Sequence, residues 1–124
     1  MFKLSVRSEF AAAHFLRNYE GSCEKLHGHN WKVILTVEGE KLNSTGLLVD
    51  FKALKSILNE VLEELDHRLL NDHPAFFEVN PSSENIALFI FTKVKEKLSQ
   101  KFPEVRVKEV SVYESEKAWA TYSE

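Results

Sequence analysis

"WKVILTV", residues 31–37, joins an aromatic residue to four β-branched ones, Val33, Ile34, Thr36 and Val37. That composition belongs to a strand. Upstream, Phe2, Leu4, Val6, Phe10, Ala12 and His14 alternate loosely with polar neighbours and give a second strand over residues 2–15. Between them "RNYEGSCEKLHG" (17–28) carries Asn18, Gly21, Ser22 and Gly28, which suits a reversing loop. The first forty residues therefore form a long hairpin.

Downstream the period changes. Phe51, Leu54, Ile57, Leu58, Val61, Leu62 and Leu65 recur at helical spacing, with Asp50 as N-cap. Residues 66–83 contain Pro74, Pro81 and an Asn-Asp pair, and read as loop with a short helical turn. Ser82 or Ser83 then caps a helix over 84–101, with Ala87, Ile90, Phe91, Val94 and Leu98 on one face and Pro103 beyond its end. Finally Val107, Val110 and Val112, then Ala118, Ala120 and Tyr122, flank a polar break at 115–117 and form a second hairpin. The order ββααββ predicts a single α+β domain over residues 1–124, a four-stranded antiparallel sheet with both helices on one face. Its two open edges predict self-association, since closure into a barrel removes them.

Composition narrows the function. A net charge of −3, a pI near 6.0 and scattered Lys and Arg offer no basic surface to nucleic acid. Lys3, Arg7 and Glu9 interrupt the apolar residues at the start, so a signal peptide is not expected, and the longest apolar run, "IALFIF" (86–91), falls short of the ~20 residues of a membrane span. The lone Cys23 fits a reducing compartment. A soluble cytoplasmic protein is expected.

Chemistry concentrates in "CEKLHGH" (23–29). In an extended segment His27 and His29 point to one face, and pairing of the hairpin strands brings His14 across from them. Three imidazoles suit zinc with a fourth position open, although HxH pairs also arise by chance. Cys23 either closes that shell as a fourth ligand or stays off the metal as a base. Asp66 beside His67 either orients the imidazole or lies solvated at a helix C-terminus. Glu84 is explicable as a first-turn acid, and Glu114 as a solvated hairpin residue.

Six ordered segments, "FAAAH" (10–14), "CEKLHGH" (23–29), "GLLVDF" (46–51), "LDHRLLND" (65–72), "NPSSENIA" (80–87) and "VYESEKAWATY" (112–122), resemble the 6-pyruvoyl- and 6-carboxy-tetrahydropterin synthase group of the tunnelling fold. The three residues between Cys23 and His27 are similar to the bacterial carboxy enzymes of queuosine biosynthesis. The resemblance implies zinc-dependent conversion of 7,8-dihydroneopterin triphosphate to 6-carboxy-5,6,7,8-tetrahydropterin, with acetaldehyde and triphosphate released. It implies His14, His27 and His29 as zinc ligands, Cys23 as base, and His67 oriented by Asp66 as proton relay. Glu114 would bind the pterin and take part in the proton relay, with Glu84 near the pterin pocket. The family often has Thr at position 82 or 83 and at 115, where this chain has Ser, so a hydroxyl is kept. Subunits would join their sheets into a barrel, commonly as trimers stacked into hexamers, with Cys23 and His67 able to come from different chains. The rival readings are a pyruvoyl synthase on the same substrate and a non-catalytic zinc module closed by Cys23.

Overall fold

A computed structural model describes residues 1–124. Strands β1 (Phe2–His14) and β2 (His27–Gly39) form the expected hairpin, helices α1 (Phe51–Leu62) and α2 (Ser83–Lys101) follow, and β4 (Arg106–Ser115) with β5 (Ala118–Ser123) form the second hairpin. Between the helices lies β3 (Arg68–Leu69), succeeded by two 3-10 turns at Leu70–Asp72 and Pro74–Phe76. The sheet order is β3-β1-β2-β4-β5.

The sheet is thus five-stranded and mixed, a correction to the four antiparallel strands expected, because β3 pairs in parallel with Ala12 and Ala13 of β1. Two residues carry no readable period, and this strand is made by its neighbours: His67, with φ +58°, turns the chain and donates its backbone N–H to the Ala11 carbonyl at 2.6 Å. A non-glycine residue in that region costs about 1–2 kcal/mol and persists where surrounding contacts over-determine it.

The helix starts follow local chemistry. Asp50 Oδ1 accepts from the Lys52 N–H at 2.7 Å and Ser82 Oγ from the Asn85 N–H at 3.2 Å, each satisfying an otherwise unpaired first-turn donor. Alternation then sorts the sheet: Trp31, Val33, Leu35 and Val37 of β2 are fully buried and join Leu54, Leu58 and Val61 of α1 and Ile90, Phe91 and Val94 of α2 in one core cluster. The helices cover that face. The other face carries hydroxyl pairs, Ser5 with Thr36 at 2.8 Å and Ser111 with Thr121 at 2.7 Å, and a stack of half-buried Tyr113 on exposed Trp119.

Two bulges adjust β4. Thr36 pairs with Glu109 but Val37 with Val107, so Lys108 is the extra residue, and the irregular spacing of Val107, Val110 and Val112 still buries all three. Tyr113 pairs with Trp119 but Ser115 with Ala118, which leaves Glu114 as the second extra residue. Bulges re-aim side chains, and this one lies beside the chain's histidine cluster.

Candidate active site

The β1–β2 register sets His14 opposite His27 and Ala12 opposite His29, so the three imidazoles come to one end of the helix-covered face. Trp31, the next inward residue on β2, lies beneath them with ring centroids 4.9 Å from His14 and 5.0 Å from His29, and its indole N–H donates to the Ala12 carbonyl at 3.2 Å. The ligand-capable atoms of His14, His27, His29 and Glu114 all lie within 4.8 Å of one another.

Backbone carbonyls determine the tautomers. His14 Nδ1 is 2.7 Å from the Pro81 oxygen and His27 Nδ1 2.8 Å from the Lys25 oxygen. A carbonyl only accepts, so each Nδ1 carries its proton, and in the neutral ring each Nε2 presents a lone pair. Those two Nε2 atoms face each other at 3.1 Å. Opposed lone pairs repel unless a cation lies between them, and two ligands on a tetrahedral zinc with bonds near 2.05 Å stand about 3.3 Å apart. His29 Nε2 is buried without a hydrogen-bond partner, while Glu114 Oε1 stands 3.2 Å away. That contact is an ion pair only when His29 is protonated. Burial opposes this, holding the imidazole below its ordinary 6.5 against the pull of Glu114, with His14 and His27 lowering it further. The donor set of neutral imidazoles and a carboxylate fits a divalent transition metal such as zinc.

Glu114 is held from its other side: Ser83 Oγ donates to Oε2 at 3.4 Å. Glu84, the next residue, is exposed in the first turn of α2 and enters none of these bonds.

Cys23 is exposed and stands outside the histidine group. Its loop is nonetheless fixed. Glu24 donates its backbone N–H to the Leu16 carbonyl at 2.8 Å and accepts the Leu16 N–H on Oε1 at 3.2 Å. Two asparagines hold the chain leaving β1 as a strand would: Asn71 accepts from the Phe15 N–H at 3.0 Å and donates to its carbonyl at 2.9 Å, and Asn80 does the same for Arg17 at 2.8 and 3.0 Å. Arg17 also donates its guanidinium to the carbonyls of Phe76 and Phe77. The roles of Asn71 and Asn80 beside β1, and of Ser83 as the partner of Glu114 rather than as a helix cap, escape sequence reading because a single side-chain amide or hydroxyl has no pattern; the Asn-Asp pair and the Asn and Ser of "NPSSEN" mark only loop and cap.

Asp66 and His67 do pair, with Oδ2 2.9 Å from Nδ1, and Asp66 Oδ1 accepts the Ala11 N–H at 2.9 Å. The side chain of His67 is 81% exposed. It borders an open depression lined also by Ala11, Ala12, Ala13, Gly28, His29 and Asn30. Within one chain the dyad's ion pair and hydrogen bond run to each other and to Ala11, and neither residue joins the ligand atoms of the histidine cluster.

The Ala11 N–H, then His67, hold the Asp66 carboxyl below its ordinary 3.8, against partial desolvation. A carboxyl depressed by folding contributes stability above its unfolded pKa and loses it as pH falls through the folded one. The stability difference between the native chain and Asp66→Asn, measured by urea unfolding, is expected to be present at pH 5 and to close below about pH 4.

The 6-pyruvoyl tetrahydropterin synthase family model matches residues 3–124. A 6-carboxy-5,6,7,8-tetrahydropterin synthase of Bacillus subtilis is 36% identical over 99 residues, covering 76% of this chain and 66% of the relative. A dihydroneopterin monophosphate aldolase of Pyrococcus furiosus is 37% identical over 112 residues, covering 90% and 89%. The solved structure of Caenorhabditis elegans 6-pyruvoyl tetrahydropterin synthase superposes with a TM-score of 0.84 at 27% identity, covering 99% of this chain and 95% of the other. With the fold, the family match over nearly every residue and a histidine cluster able to hold a metal ion in agreement, the chain belongs to the 6-pyruvoyl tetrahydropterin synthase family.

Proposed function

We propose that this chain is a zinc-dependent carbon–carbon lyase that converts 7,8-dihydroneopterin triphosphate and one water to 6-carboxy-5,6,7,8-tetrahydropterin, acetaldehyde and triphosphate, in queuosine biosynthesis. The observation that carries this reading is the convergence of His14, His27 and His29 on one point with Glu114 beside them. The resemblance of the Cys23–His27 spacing to the carboxy enzymes, and the B. subtilis relative, favour that product.

His14, His27 and His29 would hold the metal, which when bound acidifies substrate hydroxyls and the carbons next to them. Glu114, with Oε1 3.2 Å from His29 Nε2 and Oε2 held by Ser83, faces the bound pterin and takes part in the proton relay. Cys23 Sγ takes the proton. Its place outside the histidine group supports that role over closure of the metal shell. His67 Nε2 returns protons while its Nδ1 is held by Asp66. Glu84 lines the pterin pocket at the start of α2.

The dyad's separation from the group of histidine ligand atoms within one chain supports an active site shared between subunits. Most of β1 beyond Ala12 and Ala13 and the outer side of β5 are open edges. Pairing of such edges would close a barrel, as trimers stacked into a hexamer, and bring His67 of one chain to Cys23 of another. No helix is long and apolar enough to cross a membrane. The lone thiol fits the cytoplasm.

Mass spectrometry of the products tests the assignment. Incubation with 7,8-dihydroneopterin triphosphate is expected to yield the 6-carboxy product and acetaldehyde. A 6-pyruvoyl product, as the name of the C. elegans protein describes, would replace the proposed activity with triphosphate elimination. Turnover of the monophosphate alone would favour an aldolase, as the P. furiosus relative is named.

A further inference from the structure

We infer that Asn85, together with Asn80, is a positioning residue for the metal ligand His14: the two side-chain amides hold the Pro81 carbonyl on His14 Nδ1 and so keep Nε2 free for a metal. The inference rests on the assignment of His14 as a metal ligand and names the residues that keep its ring ready.

Two proton arrangements are open to His14. Its Nδ1 meets the Pro81 carbonyl at 2.7 Å, while its Nε2 stands 3.1 Å from Nε2 of His27, whose own Nδ1–H is taken by the Lys25 carbonyl at 2.8 Å. With the His14 proton on Nδ1, both Nε2 atoms offer lone pairs to an ion. With that proton on Nε2, His14 would donate to His27, and one hydrogen bond would occupy two ligand atoms at once. In the metal-free protein such a bond also relieves the repulsion between the facing lone pairs. A firmly placed Pro81 carbonyl is therefore what keeps the ring in the form a metal needs.

Pro81 does not fix that direction alone. It is buried, has no N–H, and its ring sets only φ, so its carbonyl is aimed by the residues on either side. On one side the Asn80 side chain accepts the Arg17 N–H at 2.8 Å and donates to the Arg17 carbonyl at 3.0 Å, tying the segment to the chain that leaves His14. On the other side Ser82 is the N-cap of α2. Asn85 reaches both. Its side chain leans back toward the helix N-terminus, where Nδ2 donates to the Asn80 carbonyl at 2.8 Å while the backbone N–H donates to Ser82 Oγ at 3.2 Å. The amide bond to Asn80 satisfies none of the first-turn donors of α2, so its effect falls on Asn80 and Pro81 rather than on the helix.

Imidazole nitrogen NMR shifts report the tautomer without metal or turnover. In the metal-free native protein at alkaline pH, where imidazoles are neutral, long-range proton–nitrogen correlations are expected to place the protons of His14 and His27 on Nδ1. Asn85→Asp keeps the size of the side chain and suits the first turn of a helix, but turns an acceptor toward the Asn80 carbonyl. The His14 signals are expected to move toward the Nε2–H form, those of His27 to stay, and the zinc dissociation constant to rise about tenfold, the scale on which loss of a ligand's orienting partner acts. Asn85→Ala adds no charge and is expected to act in the same direction, which covers the case in which the aspartate variant does not fold. Asp50→Ala removes the cap of α1 and controls for lost stability, so His14 signals and zinc affinity are expected to remain native there. Native His14 signals in a folded Asn85 variant, weakened zinc binding with the His14 proton still on Nδ1, or shifted signals with native zinc affinity would each overturn the inference. Neither reading uses a pterin. The expected shifts together with no turnover of dihydroneopterin triphosphate by the native protein would sink the proposed reaction and leave Asn85 as the positioning residue of a metal site.

Discussion

Cys23→Ala is expected to keep its metal and lose its turnover, with kcat falling by about two to four orders of magnitude, the usual contribution of a positioned general base. In barrier terms that is about 3–5 kcal/mol. The separation is expected because Cys23 stands outside the group formed by His14, His27, His29 and Glu114. Removing its exposed sulfur should leave the loop in place, since that loop is held through Glu24 and Leu16 rather than through the thiol. Metal analysis of the purified variant beside steady-state kinetics checks both halves. Loss of zinc in Cys23→Ala would move the thiol into the metal shell and favour a structural site.

His14→Ala is expected to abolish metal binding and turnover together, and to destabilise the metal-free protein as well. The side chain is only 2% exposed, at the edge of Trp31, and its Nδ1–H is the partner of the Pro81 carbonyl. Truncation leaves that carbonyl without its donor, a cost of about 1–3 kcal/mol, and opens a void against the indole. His27→Ala is the control. Its side chain is 34% exposed, and its Nδ1–H bonds to Lys25 in the adjoining loop, so metal loss is expected with a much smaller fall in the stability of the apoprotein. Thermal unfolding of both variants in chelator, set against native apoprotein, reads the difference.

Much of this arrangement is legible before any coordinates. Residues two apart on a strand share a face, so His27 and His29 had to point together once "WKVILTV" was read as the body of β2, and the hairpin had to bring His14 near them. Asp50 and Ser82 announce their helices through side chains that satisfy first-turn donors. What stays hidden depends on a partner strand or on a single residue's backbone. The bulge that aims Glu114 exists only relative to β5, and the turn at His67 is held by hydrogen bonds to Ala11, 56 residues earlier. Asn71 and Asn80 act as short pieces of strand without being strand. The placement of the Asp66–His67 dyad away from the cluster is equally unreadable, because it is set by which edge of β1 the chain returns to.

The most direct measurement is metal-dependent turnover of 7,8-dihydroneopterin triphosphate. Protein stripped by chelator, dialysed and titrated with zinc should recover activity in proportion to bound metal, reaching a plateau at about one ion per chain, as one three-histidine centre per chain requires. Full activity in protein from which metal analysis finds no ion, or zinc bound at one per chain without any pterin turnover, would contradict the assignment of His14, His27 and His29 as the catalytic metal centre.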